Sequence, residues 1–170
     1  PEVYARLREL KDHGRPRRGT GGGADEHPAV GFNFKFTDLQ AAMGLVQLED
    51  LPRRQERIRE TYSIYREALA DHPRIRLPGF DVENGECPLW VDADVDDRDA
   101  LCAALAGQGI PTRPFWKPVH TLAPYKTDGA GLKRSLEVGA RALWLPTALT
   151  LRTEDIRYVC ERISAWSRET

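Results

Sequence analysis

The sequence feature that most constrains the fold of this chain is a helix-start signal in its first third. Residues 37–40, Thr-Asp-Leu-Gln, match the Ser/Thr-x-x-Glu/Gln pattern of a capping box, in which the first and last side chains bind each other's backbone N–H groups. A helix is therefore expected to begin at Asp38. The preceding residues place an amide, Asn33, and a cation, Lys35, beside that helix start. Because free N–H groups at a helix N-terminus attract anions, the pattern fits either an ordinary loop-to-helix junction or a phosphate site.

Periodic apolar residues predict helices in the first part of the chain. Their expected bounds are residues 3–12, 38–50 and 52–70. The last of these has its apolar side chains on one stripe, which is typical of a helix lying against a domain or a partner subunit. The glycine-rich stretch from Asp12 to Gly23 predicts a mobile loop, whose basic residues are candidates for binding a phosphate. No Gly-Lys-Ser/Thr follows those glycines, so a P-loop is excluded.

From residue 73 onward, short strands are predicted to alternate with helices. Extended pieces are expected at 74–77, 87–95, 110–113 and 142–145, and helices at 97–107, 130–141 and 153–166, with Thr153 as the last helix cap. This order indicates a compact α+β unit. Asp92, Asp94 and Asp96 alternate along one strand face. They are expected to form a solvated edge, because the glycine and glutamate of a calcium loop are missing at the required offsets.

Composition and charge exclude several classes of protein. The net charge is −1 at pH 7, which gives no electrostatic case for nucleic acid or an anionic membrane. No apolar run approaches the ~18 residues of a transmembrane helix, and the first residues show no signal-peptide pattern. The 3 cysteines are too widely spaced for a disulfide framework or a zinc site. We therefore expect free thiols, no bound metal and a cytoplasmic location.

Residues 112–120, Thr-Arg-Pro-Phe-Trp-Lys-Pro-Val-His, form a second informative segment. Its prolines stiffen the chain, and Arg113, Trp116, Lys117 and His120 together offer cationic donors, a stacking face and a titratable group. The segment fits a ligand surface on a rigid loop. It fits equally a core tryptophan, a surface ion pair and a structural histidine. No serine lies in a nucleophile elbow, and no cysteine–histidine spacing indicates a thiol enzyme.

Short motifs along nearly the whole chain carry a resemblance to a known family. They are Leu-Lys-Asp-His-Gly-Arg at 10–15, Gly-Phe-Asn-Phe-Lys-Phe-Thr-Asp-Leu-Gln-Ala-Ala-Met-Gly at 31–44, Gly-Ile-Pro-Thr-Arg-Pro with Pro-Val-His at 109–120, and Leu-Trp-Leu-Pro at 143–146. In order and spacing these motifs resemble the DegT/DnrJ/StrS family of nucleotide-sugar aminotransferases. The resemblance implies the α/β, aspartate-aminotransferase-like fold type I. It also implies pyridoxal 5'-phosphate as the cofactor and a homodimer with shared active sites.

The resemblance also implies roles for individual residues. Asn33 matches the asparagine that reaches across the dimer to the cofactor phosphate of the neighbouring subunit. Lys35 stands where the family usually has an arginine, and it keeps the charge without the bidentate fork. The run from Trp116 to His120 resembles the Trp-Lys-Pro-Met-His of members that act at C4 of a UDP-linked amino sugar. Arg113, Trp116, Lys117 and His120 are thus candidates for binding the substrate.

One family motif is missing from this sequence. The lysine that forms the Schiff base lies, in the family, in a Ser-Phe-His-x-x-Lys segment, and no such segment occurs here. We therefore expect no catalytic residue in this chain, an upstream large domain that holds most of the cofactor pocket, and no activity of the chain alone. The expected domains are residues 1–50, the end of the large domain with a mobile loop, 51–72, a linking helix, and 73–170, the C-terminal small domain. In this interpretation the chain is mainly long helices plus that α+β domain.

The implied function is transfer of an amino group from glutamate to a keto-sugar nucleotide, with a 4-keto-6-deoxy sugar favoured. Such a reaction serves cell-surface polysaccharide or antibiotic-sugar biosynthesis. Two alternatives stay open. The first is a pyridoxal-phosphate-dependent sugar dehydratase of the same family, in which a histidine replaces the lysine. The second is a non-catalytic dimerisation module.

Overall fold

The computed structural model describes residues 1–15 and 27–169. The chain forms two compact units, Pro1–Asp50 and Leu51–Thr170. The mobile loop predicted from Asp12 to Gly23 lies outside the described residues beyond Arg15. Every helix predicted within the described residues is present, with ends that differ by a few residues from the expected ones. The predicted division into a domain end, a linking helix and a small domain stays a prediction.

The N-terminal unit contains helices α1 (Glu2–Lys11) and α2 (Asp38–Glu49). Helix α2 begins with the predicted capping box: the backbone N–H of Gln40 donates to Thr37 Oγ1 at 3.2 Å, and the backbone N–H of Thr37 donates to Gln40 Oε1 at 2.9 Å. Among the described residues of this unit no apolar side chain is buried. The apolar faces of both helices are exposed within the chain, and Met43, for example, is 64% exposed.

In its described residues, the C-terminal unit consists of an antiparallel sheet and four α-helices. Its helices are α3 (Leu51–Ala68), α4 (Arg98–Ala106), α5 (Lys133–Arg141) and α6 (Thr153–Glu169), and its strands are β1 (Ile75–Arg76), β2 (Val91–Val95), β3 (Arg113–Pro114) and β4 (Ala142–Leu145). The strand order is β1-β2-β4-β3. Helices α3, α4 and α6 share a single hydrophobic core with the sheet. Tyr65 of α3 is fully buried in this core, and its hydroxyl donates to the backbone oxygen of Pro146 at 3.0 Å.

Strand register decides which residues reach the opposite face of the sheet. Val91, Ala93 and Val95 of β2 are buried in the core, so the intervening aspartates of β2 project from the other face. Asp92 pairs with Trp144 of β4, and Trp144 pairs in turn with Arg113 of β3. Residues from distant parts of the sequence therefore meet on the face that the core does not use.

Three local predictions are wrong. The extended piece expected at 87–95 is shorter than predicted, because β2 begins only at Val91 and Leu89, two residues before it, is 61% exposed. The extended piece expected at 110–113 pairs with the sheet only at Arg113–Pro114, and Ile110 lies in the core before it.

Thr153 does not cap helix α6. Its hydroxyl donates to Glu60 of α3 at 3.2 Å and accepts from Arg57 at 3.4 Å, so it is engaged in a helix–helix contact. The backbone N–H of Arg152 is instead bound by the Asp155 carboxylate at 2.9 Å. A tertiary contact thus overrides the local capping preference of threonine.

The predicted solvated aspartate edge is an ion-pair cluster. Asp94 and Asp96 each contact Arg76 and Arg141 at 2.7–3.3 Å, and all four side chains are roughly half exposed. Exposed pairs of this kind each contribute at most about 1 kcal/mol. The cluster therefore fixes the edge of the sheet more than it stabilises the unit.

The structure also bears on membrane-spanning helices and on the state of the cysteines. Within residues 1–15 and 27–169, no helix combines the length and the apolar character required to cross a bilayer. Cys87, Cys102 and Cys160 are free thiols, which confirms that prediction.

Candidate functional site

Asn33 lies on a short backbone ladder that joins its segment to the end of α1. Asp12 and Asn33 form an antiparallel bridge. On either side of it, the N–H of His13 donates to the oxygen of Phe32 at 3.1 Å, and the N–H of Phe34 donates to the oxygen of Lys11 at 3.1 Å. The motifs at 10–15 and 31–44 are thus neighbours in space. The first motif holds the second in place.

Two glycines allow these segments to approach so closely. Gly14 has φ +82°, and a Cβ added to it would lie 1.8 Å from the backbone oxygen of Ala29. A Cβ added to Gly31 would lie 1.9 Å from the backbone nitrogen of Gly14. No side chain fits at these distances, so each motif requires its glycine for a steric reason.

The carboxylate of Asp12 binds two cations of the same region. Asp12 is buried, and its Oδ1 lies 2.7 Å from the Arg15 guanidinium and 3.2 Å from the Lys35 ammonium. The hydrogen bond from Arg15 is the main reason that the pKa of Asp12 is lowered, and Lys35 adds to the effect. The Lys35 ammonium is therefore committed to an internal ion pair.

The Asn33 amide is available to a ligand. Its side chain is exposed and has no hydrogen-bond partner among residues 1–15 and 27–169. The start of α2 offers less to an anion than its sequence suggests, because the capping box already uses the N–H groups of Thr37 and Gln40. Asn33, Lys35 and the N-terminus of α2 were the features expected to attract a phosphate here. Among the described residues, Lys35 is paired with Asp12 and the helix start is capped, whereas the Asn33 amide has no partner.

Arg113 and Trp116 come together on the face of the sheet opposite the core. The Arg113 guanidinium carbon lies 4.7 Å from the ring centroid of Trp116 and 5.1 Å from that of Trp144. The two indoles meet edge to face, with centroids 4.9 Å apart. The Arg113 guanidinium thus lies against both indole rings, an arrangement that suits this group. The ion pair considered for Arg113 from the sequence does not form with any described residue.

Trp90 belongs to the same cluster, although sequence reasoning did not select it. Its ring stacks on Trp144, with centroids 5.2 Å apart, and Trp90 is 47% exposed whereas Trp144 is 6% exposed. Asp92 lies beside Trp144, and burial raises the pKa of the Asp92 carboxyl while the indole N–H opposes this shift. The only sequence signal for Trp90 was its place just before a strand that bears aspartates.

His120 has a different environment from the other candidates. Its Nε2 is buried and has no partner among the described residues, and a Cβ added to Gly129 would lie 3.4 Å from this ring atom. The backbone oxygen of His120 accepts from the N–H of Thr127 at 3.2 Å. His120 therefore packs against the turn that follows it.

Lys117 lines a groove between residues 115–119 and helix α5. The predicted site residues thus divide between the two units, with Asn33 and Lys35 in the first and the other four in the second. In the second unit Arg113 and Trp116 are in contact, Trp116 and Lys117 line one groove, and His120 packs beneath the next turn.

Comparison with known proteins decides the family. The model of the DegT/DnrJ/EryC1/StrS aminotransferase family matches residues 1–164. The chain belongs to this family. A similar curated relative is the GDP-perosamine synthase of Escherichia coli O157:H7, 30% identical over 142 residues, with 81% of this chain and 38% of the relative covered. Another is the dTDP-4-dehydro-2,3,6-trideoxy-D-glucose 4-aminotransferase of Saccharopolyspora spinosa, 29% identical over 136 residues, with 78% and 35% covered.

Solved structures show the same fold. A protein described as a sugar aminotransferase, Spr1654 from Streptococcus pneumoniae, matches in its PMP form with a TM-score of 0.82 and 21% identity, covering 99% of this chain and 45% of that chain. This likeness confirms the prediction that the chain is part of an aspartate-aminotransferase-like protein of fold type I. The chain spans less than half the length of these relatives.

Proposed function

We propose that this chain is part of a pyridoxal-phosphate-dependent aminotransferase that acts on a keto-sugar nucleotide. The observation that carries the proposal is the family match over residues 1–164. Relatives named for a GDP-linked and a dTDP-linked sugar support a nucleotide-sugar substrate. Within that class we favour a 4-keto-6-deoxy sugar, with glutamate as the amino donor, in polysaccharide or antibiotic-sugar biosynthesis.

The donor set at Asn33 fits the phosphate of such a cofactor. The Asn33 side chain is exposed, its backbone is held by the bridge to Asp12, and an amide N–H is a suitable donor to a phosphate oxygen. Lys35 adds positive charge near this point, but its ammonium is bound to Asp12. When bound, pyridoxal phosphate supplies the electron sink for moving the amino group. In this proposal the chain's role is to orient that group by its phosphate, through Asn33.

The candidates of the C-terminal unit are assigned to the sugar nucleotide. Trp116 is 54% exposed and presents an indole to solvent, and Lys117 lies next to it and forms no ion pair with a described residue. Arg113 acts on the substrate through the tryptophans it contacts. His120 acts through the turn above it.

The rest of the active site must come from outside these residues. The exposed apolar faces of α1 and α2 need a covering surface, and contiguous exposed apolar area of this kind marks interfaces. We propose that a large domain carrying the catalytic lysine and a second subunit cover them, in a cytoplasmic homodimer. The cofactor phosphate reached by Asn33 would belong to the partner subunit.

The family's dehydratase reaction and a non-catalytic dimerisation module remain the alternatives. A histidine in place of the lysine in the Ser-Phe-His-x-x-Lys segment of the whole protein would favour the dehydratase. Absence of any large domain from its gene would favour the module.

The test is a turnover assay with the full-length protein, pyridoxal phosphate, glutamate and a 4-keto-6-deoxy sugar linked to UDP, GDP or dTDP. We expect equal amounts of amino sugar and 2-oxoglutarate with one of these nucleotides, and no product with the 170-residue chain alone. Loss of a sugar hydroxyl without amino transfer would support the dehydratase. Turnover by the isolated chain would contradict the assignment of the catalytic lysine to another part of the protein.

A further inference from the structure

A groove separates the segment 115–119 from helix α5 and has a volume of about 410 Å³, within the usual range for ligand sites. Close contact at its floor shapes it. A Cβ added to Gly139 of α5 would lie 2.9 Å from Cδ of Pro118, so only glycine lets the segment approach the helix this far. The Arg98 guanidinium also contacts this glycine, since it donates to the backbone oxygen of Gly139 at 2.8 Å.

The charges that line this groove are all positive. Lys117 lies on one wall and Arg134 on the other, and no carboxylate is among the lining residues. Neither cation forms an ion pair with a described residue. Arg76, Arg141 and Arg152 of the same unit, by contrast, are paired with carboxylates. Two uncompensated cations with the hydroxyl of Ser135 between apolar walls are suited to binding an anion, and phosphate in particular.

An aromatic side chain completes the groove. Trp116 forms part of the wall beside Lys117, and its ring is held by the edge-to-face contact with Trp144 and by the guanidinium of Arg113. The indole is thus fixed in orientation while half of its surface stays open. A nucleotide base can stack on such an exposed indole while its phosphates bind the neighbouring cations, because every base has a π-face.

We infer that this groove binds the nucleoside diphosphate part of the substrate. Lys117 and Arg134 bind the two phosphates, and Trp116 stacks on the base. This inference rests on the proposed function and extends it to Arg134 and Ser135, which no sequence pattern selected. It also makes Arg113 a positioning residue for Trp116, since its guanidinium is already stacked on two rings.

The test is calorimetric titration of the full-length enzyme with GDP, UDP and dTDP, and with the matching nucleosides. The Arg134→Gln and Lys117→Gln variants are expected to raise the Kd of the preferred diphosphate about tenfold each and to leave nucleoside binding unchanged. Trp116→Leu is expected to weaken the diphosphate and the nucleoside alike, by about tenfold. Arg157→Gln is the matched control, because Arg157 is exposed on α6, outside the groove, and forms no ion pair with a described residue.

The outcomes separate this inference from the proposed function. If the wild-type enzyme binds a nucleoside diphosphate and the Arg134 and Lys117 variants bind it equally well, the groove is not the site, while the proposed function stands. If the wild type binds none of the diphosphates and turns over no sugar nucleotide, the proposed function itself fails.

A measurement on the wild type needs no variant to fold. Its Kd for the diphosphate should rise with salt concentration much more steeply than its Kd for the nucleoside, since only the former depends on the two cations. Equal salt dependence for both ligands would overturn the inference.

Discussion

The Asp12 carboxylate holds the Lys35 ammonium, with Oδ1 and Nζ 3.2 Å apart, at the point where the end of α1 pairs with the segment that carries Asn33. The same oxygen binds Arg15 at 2.7 Å. The family motif at 10–15 therefore has a physical role here. It supplies the backbone ladder and the carboxylate that orient the residues of the next motif.

Replacing Asp12 by Asn tests this role. The substitution keeps the size of the side chain but removes the charge that binds Arg15 and Lys35, so the Asn33 segment is then held by its backbone hydrogen bonds alone and should be less firmly oriented. We expect the Kd of the full-length enzyme for pyridoxal phosphate to rise about tenfold, the scale of one charge-assisted contact. Glu9→Gln is the control, because Glu9 pairs with Arg6 on the same helix and away from Asn33. Equal cofactor affinity in the Asp12 variant and the control would contradict the positioning role.

Acid should weaken the same contact. The pKa of Asp12 is lowered in the folded chain, so the stabilisation that its charge provides is complete above its ordinary value, 3.8, and is lost as the pH falls through the lower folded value. Release of cofactor from the wild-type enzyme should therefore accelerate on acidification over that range. In Asp12→Asn the rate of cofactor release should no longer rise over this pH range. If the variant showed the same pH dependence as the wild type, the Asp12 charge would not be its cause.

A pair of glycine substitutions separates a steric requirement from ordinary helix propensity. Gly31→Ala would place a methyl group 1.9 Å from the backbone nitrogen of Gly14, so the two segments must separate. Gly44 lies within α2, and a Cβ added to it would meet no described atom within 4 Å beyond its chain neighbours and the helix's own backbone. Gly44→Ala should leave cofactor binding intact and stabilise the helix by about 0.5–1 kcal/mol. Gly31→Ala should abolish phosphate-dependent cofactor binding, and titration with pyridoxal phosphate measures both.

Replacing Arg113 should change KM for the sugar nucleotide and leave kcat almost unchanged. Arg113→Gln removes the cation that contacts the rings of Trp116 and Trp144. A cation–π contact at an exposed site is worth about 0.5–1 kcal/mol, so KM for the sugar nucleotide should rise about threefold with little change in kcat or in KM for glutamate. Tryptophan fluorescence should change as well.

Arg162→Gln is the matched control for that experiment. The Arg162 guanidinium carbon lies 5.1 Å from the ring centroid of Tyr158 on α6, so the substitution removes the same kind of contact away from the groove. Arg113→Lys should restore part of the affinity. A fall in kcat equal to the rise in KM would instead indicate that Arg113 touches the reacting part of the substrate.

The sequence predicted best what local interactions determine. The capping box from Thr37 to Gln40 needs only a few neighbouring residues, and the structure contains both of its hydrogen bonds. The failure at Thr153 shows the limit, because Glu60 and Arg57 lie far away in the sequence and compete for the same hydroxyl. A pattern within one segment carries no information about that competition.

The residues that make up the candidate site were harder to predict than the helices, because their contacts join segments that are distant in the sequence. The contact of Trp90 with Trp144 depends on strand register, and that of Lys35 with Asp12 depends on a bridge between distant segments. The family resemblance supplied roles for single residues such as Asn33. Only the three-dimensional arrangement indicates which cations are free to bind a ligand and which are already paired.

Alkaline pH should destabilise the C-terminal unit through a buried thiol. Burial is the largest cause that raises the pKa of Cys160 from 9.0 to about 11, so the folded chain keeps a proton that the unfolded chain loses. Stability is therefore complete below about pH 9 and falls as the pH rises to about 11, by up to about 2 kcal/mol. Cys160→Ala should flatten this slope in urea unfolding measurements. Ile156→Val also truncates a buried side chain but has no proton to lose, and should lower stability by about 1 kcal/mol at every pH. An unchanged slope in Cys160→Ala would assign the alkaline loss to another group, with Tyr65, whose pKa burial also raises, the first to test by Tyr65→Phe.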